Sequence, residues 1–493
     1  MITACAIATV LSVSLSCLAS ASYITDIGYT ALQNELGAAT PTGTGVRVAQ
    51  VEASERSNGS PIFMPNPSHP EFAGKTITPI FGNASGEFSG HATTVGSLFY
   101  GTTGSIAPGV TQIASYEAIS WLNSLSTVFG AATTSPDRVA NHSWVNVDGN
   151  GAEHGTTLRL VDRQVTVNEY IQVVGLTNGM GNSPLLGGSA YNVVSVGRTD
   201  GVHQQGSVAV SGDQLYGAGR TVPTLVAPQG TTSGATPLVA GAAAVLVQAG
   251  HEGGLTLSEG STTINGVGTI YNAERSETVK AALMAGADRQ TANTSTDADI
   301  TDYRSAGHET ANGLDSRYGA GQVNIHNSYR ILTGGEQRSF QSGGNDISLF
   351  GFDHGVIGAN QTASYFFTAP GEKTLFASLV WNLDVSNDSS LNATLHDLDL
   401  SLYDVTNNSI VAFSSSTLDN TENLFFDLLL DNRYEMRVTT KGATAWDYAL
   451  AWRIDASAAP VPIPPAAWLF ATGLIGLLPR IRLSDRWHSR HEL

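Results

Sequence analysis

Cysteine is nearly missing from this chain of 493 residues: there are two, Cys5 and Cys17. Both fall within Ile2–Leu18, an uncharged stretch of apolar and small residues followed by Ala19-Ser20-Ala21. Such a run ending in a small-x-small site reads as a signal peptide, cut after Ala21. The mature chain then holds no cysteine, which excludes disulfides, thiolate metal sites and a thiol nucleophile. Any nucleophile has to be a hydroxyl, a carboxylate or an activated water.

Charge is also scarce, at 13% of residues against about 25% in ordinary soluble domains. What charge there is leans acidic: 42 Asp and Glu against 24 Lys and Arg give a net charge of −18. Phosphate binding needs a basic face, so nucleic acid is excluded as a default partner. Glycine is abundant, with 53 residues. Low charge and many small residues suit a loop-rich exported protein.

From Gly43 to Leu332, short Val-rich runs alternate with helical patterns. Val46–Val51, Val139–His142, Gln172–Leu176 and Asn192–Val196 read as buried strands, with helices over His91–Tyr100 and Leu158–Val173. Strands alternating with helices imply an α/β fold, a parallel sheet covered by helices on both faces. Beyond Gly334 the period changes to two. Leu379, Trp381, Leu383 and Val385 alternate with polar residues, as do Leu398, Leu400 and Leu402, then Tyr434, Met436 and Val438, then Tyr448, Leu450, Trp452 and Ile454. That pattern predicts a C-terminal antiparallel β-sandwich domain at 340–455. A Pro/Ala linker at 456–465 leads to an apolar segment with a basic tail at 466–493. Counted from Val461, the apolar stretch reaches 18 residues, at the short end for a membrane span.

Three segments carry chemistry, in the order acid, His, Ser. Gly43–Glu52 is a strand that ends on a carboxylate, and α/β sites are built at the C-terminal ends of parallel strands. Ser89-Gly90-His91 opens a helix of small residues. Gly230-Thr231-Thr232-Ser233-Gly234-Ala235-Thr236-Pro237 runs into an Ala/Val/Leu helix too apolar to be exposed. Pro237 is tolerated in the first turn, where its missing N–H costs little. Ser233 would thus sit at the N-terminus of a buried helix, where unbonded N–H groups favour a developing oxyanion. An esterase elbow, Gly-x-Ser-x-Gly, is excluded because Thr231 stands where its first Gly belongs.

These segments resemble the signature blocks of the subtilisin-like serine proteases. Thr231–Pro237 resembles the family's GTSxATP pattern with Thr231 in place of Gly, and Ala240-Gly241 follows at the family spacing. His91, with Gly90, Thr93 and Val95, resembles the His block. Ile106–Gly109 is similar to the "GVAP" segment, Tyr191–Gly197 to the strand after the oxyanion block, and Leu225–Pro228 to the lead-in to the nucleophile. The resemblance covers 22–332 and implies a peptidase domain. It implies Ser233 as nucleophile, His91 as general base and Glu52 as the carboxylate, with Glu55 second to it. It further implies an Asn oxyanion donor, Asn178 ahead of Asn182.

Two departures accompany it. The family has Asp where this chain has Glu52, and Ser22–Gly43 leaves no room for the family's N-terminal prodomain. A binding protein that keeps the fold without turnover is the alternative that Glu52 raises. Ser143 and Trp144 fall where the family has a wall of the substrate cleft, and Trp144 serves equally as a core aromatic. His154, His203 and His251 sit in polar, Gly-rich stretches and read as exposed loop residues. No cofactor is required for the chemistry. Calcium often stabilises family members, but no ligand pattern assigns it here, and Asp397 and Asp399 read as a solvated face. The tail from Val461 resembles PEP-CTERM sorting signals of Gram-negative bacteria, with Pro464-Pro465-Ala466 where Pro-Glu-Pro is common. The expected partners are therefore protein or peptide substrates and, at the tail, a membrane or a sorting enzyme. The expected location is the cell envelope or beyond it.

Overall fold

The computed structural model describes residues 23–455, apart from 58–59, 81–85, 129, 146–150, 180, 290–306 and 341–344. The segments expected to be a signal peptide (1–21), a linker (456–465) and a sorting or anchoring tail (466–493) lie outside the described residues.

The first half is built on a sheet of seven parallel strands: β1 (Arg47–Glu52), β2 (Thr76–Pro79), β3 (Gln112–Glu117), β4 (Val139–His142), β5 (Ile171–Gly175), β6 (Val194–Arg198) and β7 (Leu225–Ala227). Their order is β2-β3-β1-β4-β5-β6-β7. The central strands β1, β4 and β5 are buried almost end to end, as Val-rich runs covered on both faces require. From β1 the chain goes to the edge strand β2, returns through β3 beside β1, and then crosses to β4 and moves outward, so the strand order reverses beside β1. A crevice opens at such a reversal, at the C-terminal ends of the strands. Glu52 is the last residue of β1.

Helices α1 (Gly90–Tyr100), α2 (Gly151–Asn168), α3 (Thr232–Leu257), α4 (Ser276–Gly286) and α5 (Ile325–Thr333) accompany the sheet. Helix α3 is buried from Ala235 to Gly250, which accounts for its apolar sequence. It is the one helix among the described residues long and apolar enough to cross a membrane, and it lies inside the protein. The helix expected over Leu158–Val173 ends earlier. Glu169 adopts a left-handed φ of 49°, which stops α2, and its carboxylate binds Ser276 N (2.7 Å) and Arg275 Nη1 (2.8 Å) at the start of α4.

The second half forms two four-stranded antiparallel sheets. Strands β8 (Phe350–Ile357), β9 (Thr362–Thr368), β10 (Lys373–Val380), β11 (Leu398–Asp404), β12 (Ser409–Ser414), β13 (Thr421–Leu428), β14 (Arg433–Thr440) and β15 (Trp446–Asp455) pair as β8-β15-β10-β13 and β9-β14-β11-β12. Their apolar faces enclose one core containing Tyr365, Trp381, Leu400, Met436 and Trp452. The α/β sheet and the C-terminal sandwich agree with the sequence reading. The two halves share one compact unit. Arg453 of β15 is buried and donates to Ala285 O (2.9 Å) and Ala287 O (3.1 Å), placing a cation on the C-terminus of α4.

Polar groups hold the interior together as well. Asp162 of α2 is fully buried and accepts from Tyr191 N (3.1 Å), Asn192 N (2.8 Å) and Tyr216 OH (2.8 Å). Asp162→Ala is expected to lower stability by about 3–5 kcal/mol, because three buried donors lose their acceptor. A urea midpoint unchanged from wild type would contradict this.

Two histidines expected in exposed loops are inside. His154 is 8% exposed and His203 is fully buried. His203 Nδ1 accepts from Arg198 N (3.0 Å) and Nε2 donates to Arg317 O (2.8 Å), and burial pushes its pKa down to about 4. The ring packs over Gly197, where a Cβ would stand 2.7 Å from it. His251 is exposed as expected.

Candidate active site

β1 alternates its side chains across the sheet, so Gln50 and Glu52 share a face. Glu52 is 1% exposed. Ser89 caps α1, its hydroxyl accepting from Ala92 N at 3.0 Å, and His91 stands in the first turn. The His91 Nδ1–Glu52 Oε2 distance is 2.9 Å. This bond puts the ring proton on Nδ1 and leaves Nε2 as an acceptor. The imidazole is partly exposed while its carboxylate is not. The bond to Glu52 holds His91 above its ordinary pKa, against an opposing effect of burial. Burial pushes Glu52 upward, and the bonds from His91 and Gln50 pull it back. Glu55 lies exposed on the following hairpin and makes no part of this contact.

Glu52 has a second neighbour. Gln50 Nε2 donates to Glu52 Oε1 (2.8 Å) and to Ala92 O (2.8 Å), while Tyr100 OH donates to Gln50 Oε1 (2.5 Å). The sequence reading passed over both residues. The signal available was one amide within the otherwise apolar run of Val48–Val51, two positions before the acid.

The third segment folds as α3. Thr231 is its N-cap, accepting from Gly234 N at 3.1 Å, and Ser233 lies half-buried in the first turn. The Ser233 hydroxyl donates to Thr231 Oγ1 at 3.2 Å. Among the described residues no hydrogen bond joins it to His91. Ser143, just past β4, is buried and donates to Ser233 O at 3.0 Å, and Asn141 Nδ2 in turn holds Ser143 Oγ at 2.9 Å. Gly175 lets β5 approach this turn, since a Cβ there would meet Thr236 Oγ1 at 2.8 Å.

Asn178 lies next to the same helix end. Its Oδ1 accepts from Thr232 N at 2.9 Å and sits 3.3 Å from Thr232 Oγ1. A backbone N–H can only donate, so the amide oxygen is fixed there and Nδ2 becomes the outward donor. Asn182 is exposed in the loop beyond.

Of the two expectations for Trp144, the structure takes the core one: the residue is 6% exposed and belongs to one buried cluster with Val51, Leu158 and Leu185. Its Nε1 donates to His142 Nδ1 at 3.3 Å, and His142 Nε2 meets Gln172 Oε1 at 2.5 Å. Burial pushes His142 down to about 4, so it is a neutral spacer behind the sheet end.

Metal-ligating side chains gather elsewhere. Glu277, His354 and Asp447 bring one ligand atom each within 4.8 Å of one another, although Glu277 Oε1 already binds His354 Nε2 at 2.9 Å. Asp399 pairs with Lys441 Nζ at 2.7 Å, a cation that serves as its partner on the sandwich surface.

No known family profile matches the chain, and no curated protein does. Among solved structures it is similar to the prenylagaramide maturation protease PagA, at 18% identity over 58% of this chain and 92% of that one, with a TM-score of 0.34. It is also similar to the self-cleaved protease domain of PatA, at 18% identity over 60% and 100%, with a TM-score of 0.38. A protease from Pseudoalteromonas arctica is similar at 16% identity over 59% and 91%, with a TM-score of 0.36.

Proposed function

We propose that this chain is an exported subtilisin-like serine endopeptidase with Ser233 as nucleophile, His91 as general base and Glu52 as its carboxylate. The observation that carries the reading is the bond from buried Glu52 to His91 Nδ1. It leaves Nε2 to take a proton, and a Ser hydroxyl needs such a base to attack a carbonyl. Rotation of Ser233 away from Thr231 brings its hydroxyl into play; catalytic bonds often tighten only when substrate is bound. Attack on the scissile carbonyl forms an acyl-enzyme as His91 passes the proton to the leaving amine, and water then hydrolyses the ester. Asn178 Nδ2 and the Ser233 N–H would hold the oxyanion. Asn178→Ala is expected to lower kcat by about 10²–10³ with KM little changed, and a change confined to KM would contradict that role.

Protein or peptide substrates follow from this chemistry, and the leader and tail support action in the cell envelope or outside it, with the tail as membrane anchor or sorting signal. Release of peptides from casein by the purified chain, blocked by a sulfonyl fluoride, tests the reading; a rate no higher than that of Ser233→Ala would contradict it. The Ser233–Thr231 bond favours one second reading, a binding protein without turnover. The same assay separates the two.

A further inference from the structure

We infer that Gln50, backed by Tyr100, is a positioning residue that adapts the site to a glutamate; this rests on the peptidase reading above. Gln50 is fully buried. A buried amide is costly unless its hydrogen bonds are made, and here both donors and the acceptor are used. One donor goes to the Glu52 carboxylate on β1, and the other to the carbonyl of Ala92, the residue after His91. The side chain therefore ties the acid to the helix that carries the base. Glu has one more rotatable bond than Asp, and the Gln50 amide removes that freedom by fixing Oε1 while Oε2 faces His91. Tyr100 fixes the amide in turn. The space is reserved at Gly96: a Cβ there would lie 2.6 Å from Tyr100 OH and 3.0 Å from Gln50 Oε1.

Gln50 donates to the carboxylate, so it stabilises the state of the pair in which His91 is neutral and Glu52 ionised. Its removal raises the proton affinity of the pair and moves the acid limb of activity to higher pH. The test measures kcat, KM and the pH–rate profile of the full chain carrying Gln50→Leu or Tyr100→Phe, each alone and combined with Glu52→Ala. Gln50→Leu is expected to lower kcat about 10–100-fold, as a small misplacement does, with KM unchanged and the acid limb shifted upward. Tyr100→Phe keeps the ring and the packing, so it remains informative where Gln50→Leu fails to fold. Its kcat is expected to fall about threefold, a loss of the size of one neutral hydrogen bond, with the same direction of pH shift. Neither substitution should lower kcat further once Glu52 is Ala. Equal losses with and without Glu52, or lowered thermal stability with an unmoved pH profile, would overturn the inference and leave the peptidase reading standing. An inactive wild type would defeat both.

Discussion

Ser233→Ala is expected to reduce kcat by about 10⁶-fold, the loss seen when a nucleophile acting as a unit with its base is removed. The fold should be untouched. Ser233 is half-buried, its hydroxyl bonds only to Thr231 among the described residues, and Thr231 remains the cap of α3. The helix therefore keeps its N-terminal partner, and the unfolding free energy from urea titration should stay within about 0.5 kcal/mol of wild type, as for substitutions outside the core. Substrate affinity should persist, so the variant serves as a trap for natural substrates. A Ser233→Ala protein that retained a tenth of wild-type turnover would remove Ser233 from the mechanism.

Glu52→Gln should cost about 10⁴-fold in kcat, for a reason of orientation. Gln50 donates to Oε1, so the oxygen of the new amide stays on that side and its NH2 faces His91. An NH2 there donates to Nδ1 and forces the ring proton onto Nε2, where it blocks acceptance of the Ser233 proton. The pH profile gives a second readout. Glu52 holds His91 above its ordinary pKa, so wild-type kcat/KM should fall as pH drops through a midpoint above about 6.5, the unperturbed value for His. In Glu52→Gln that midpoint should move down. Stability runs the other way. A His whose folded pKa is raised adds stability that is fully present below its unfolded pKa and is lost as pH rises through the folded value. The pair is therefore most stabilising in its protonated, inactive state.

Where local pattern and burial agree, this chain is readable from its residues. The limits of β4 coincide with the Val139–His142 run, and the apolar stretch after Pro237 is buried as far as Gly250. The period-two runs around Leu398–Leu402 and Tyr434–Val438 become strands of the sandwich core. The pairing of Glu52 with His91 was legible through the resemblance of their two segments to family blocks, and the 2.9 Å contact agrees with it. Contacts far apart in sequence were not legible. His203 looks exposed by its polar neighbours, yet Gly197 clears a place for its ring. Trp144 was evenly balanced between cleft and core because its fate depends on α2, packed from the next segment. Gln50 meets Tyr100 across 50 positions, a relation with no local periodicity.

The central claim is an activated Ser233 hydroxyl. Its most direct test is to treat the purified chain with a fluorophosphonate and locate the adduct by peptide mass mapping. One adduct, on Ser233, should form at neutral pH, slow in Glu52→Gln and vanish in His91→Ala. A folded wild-type protein that stayed unlabelled, or carried its label on another residue, would contradict the account.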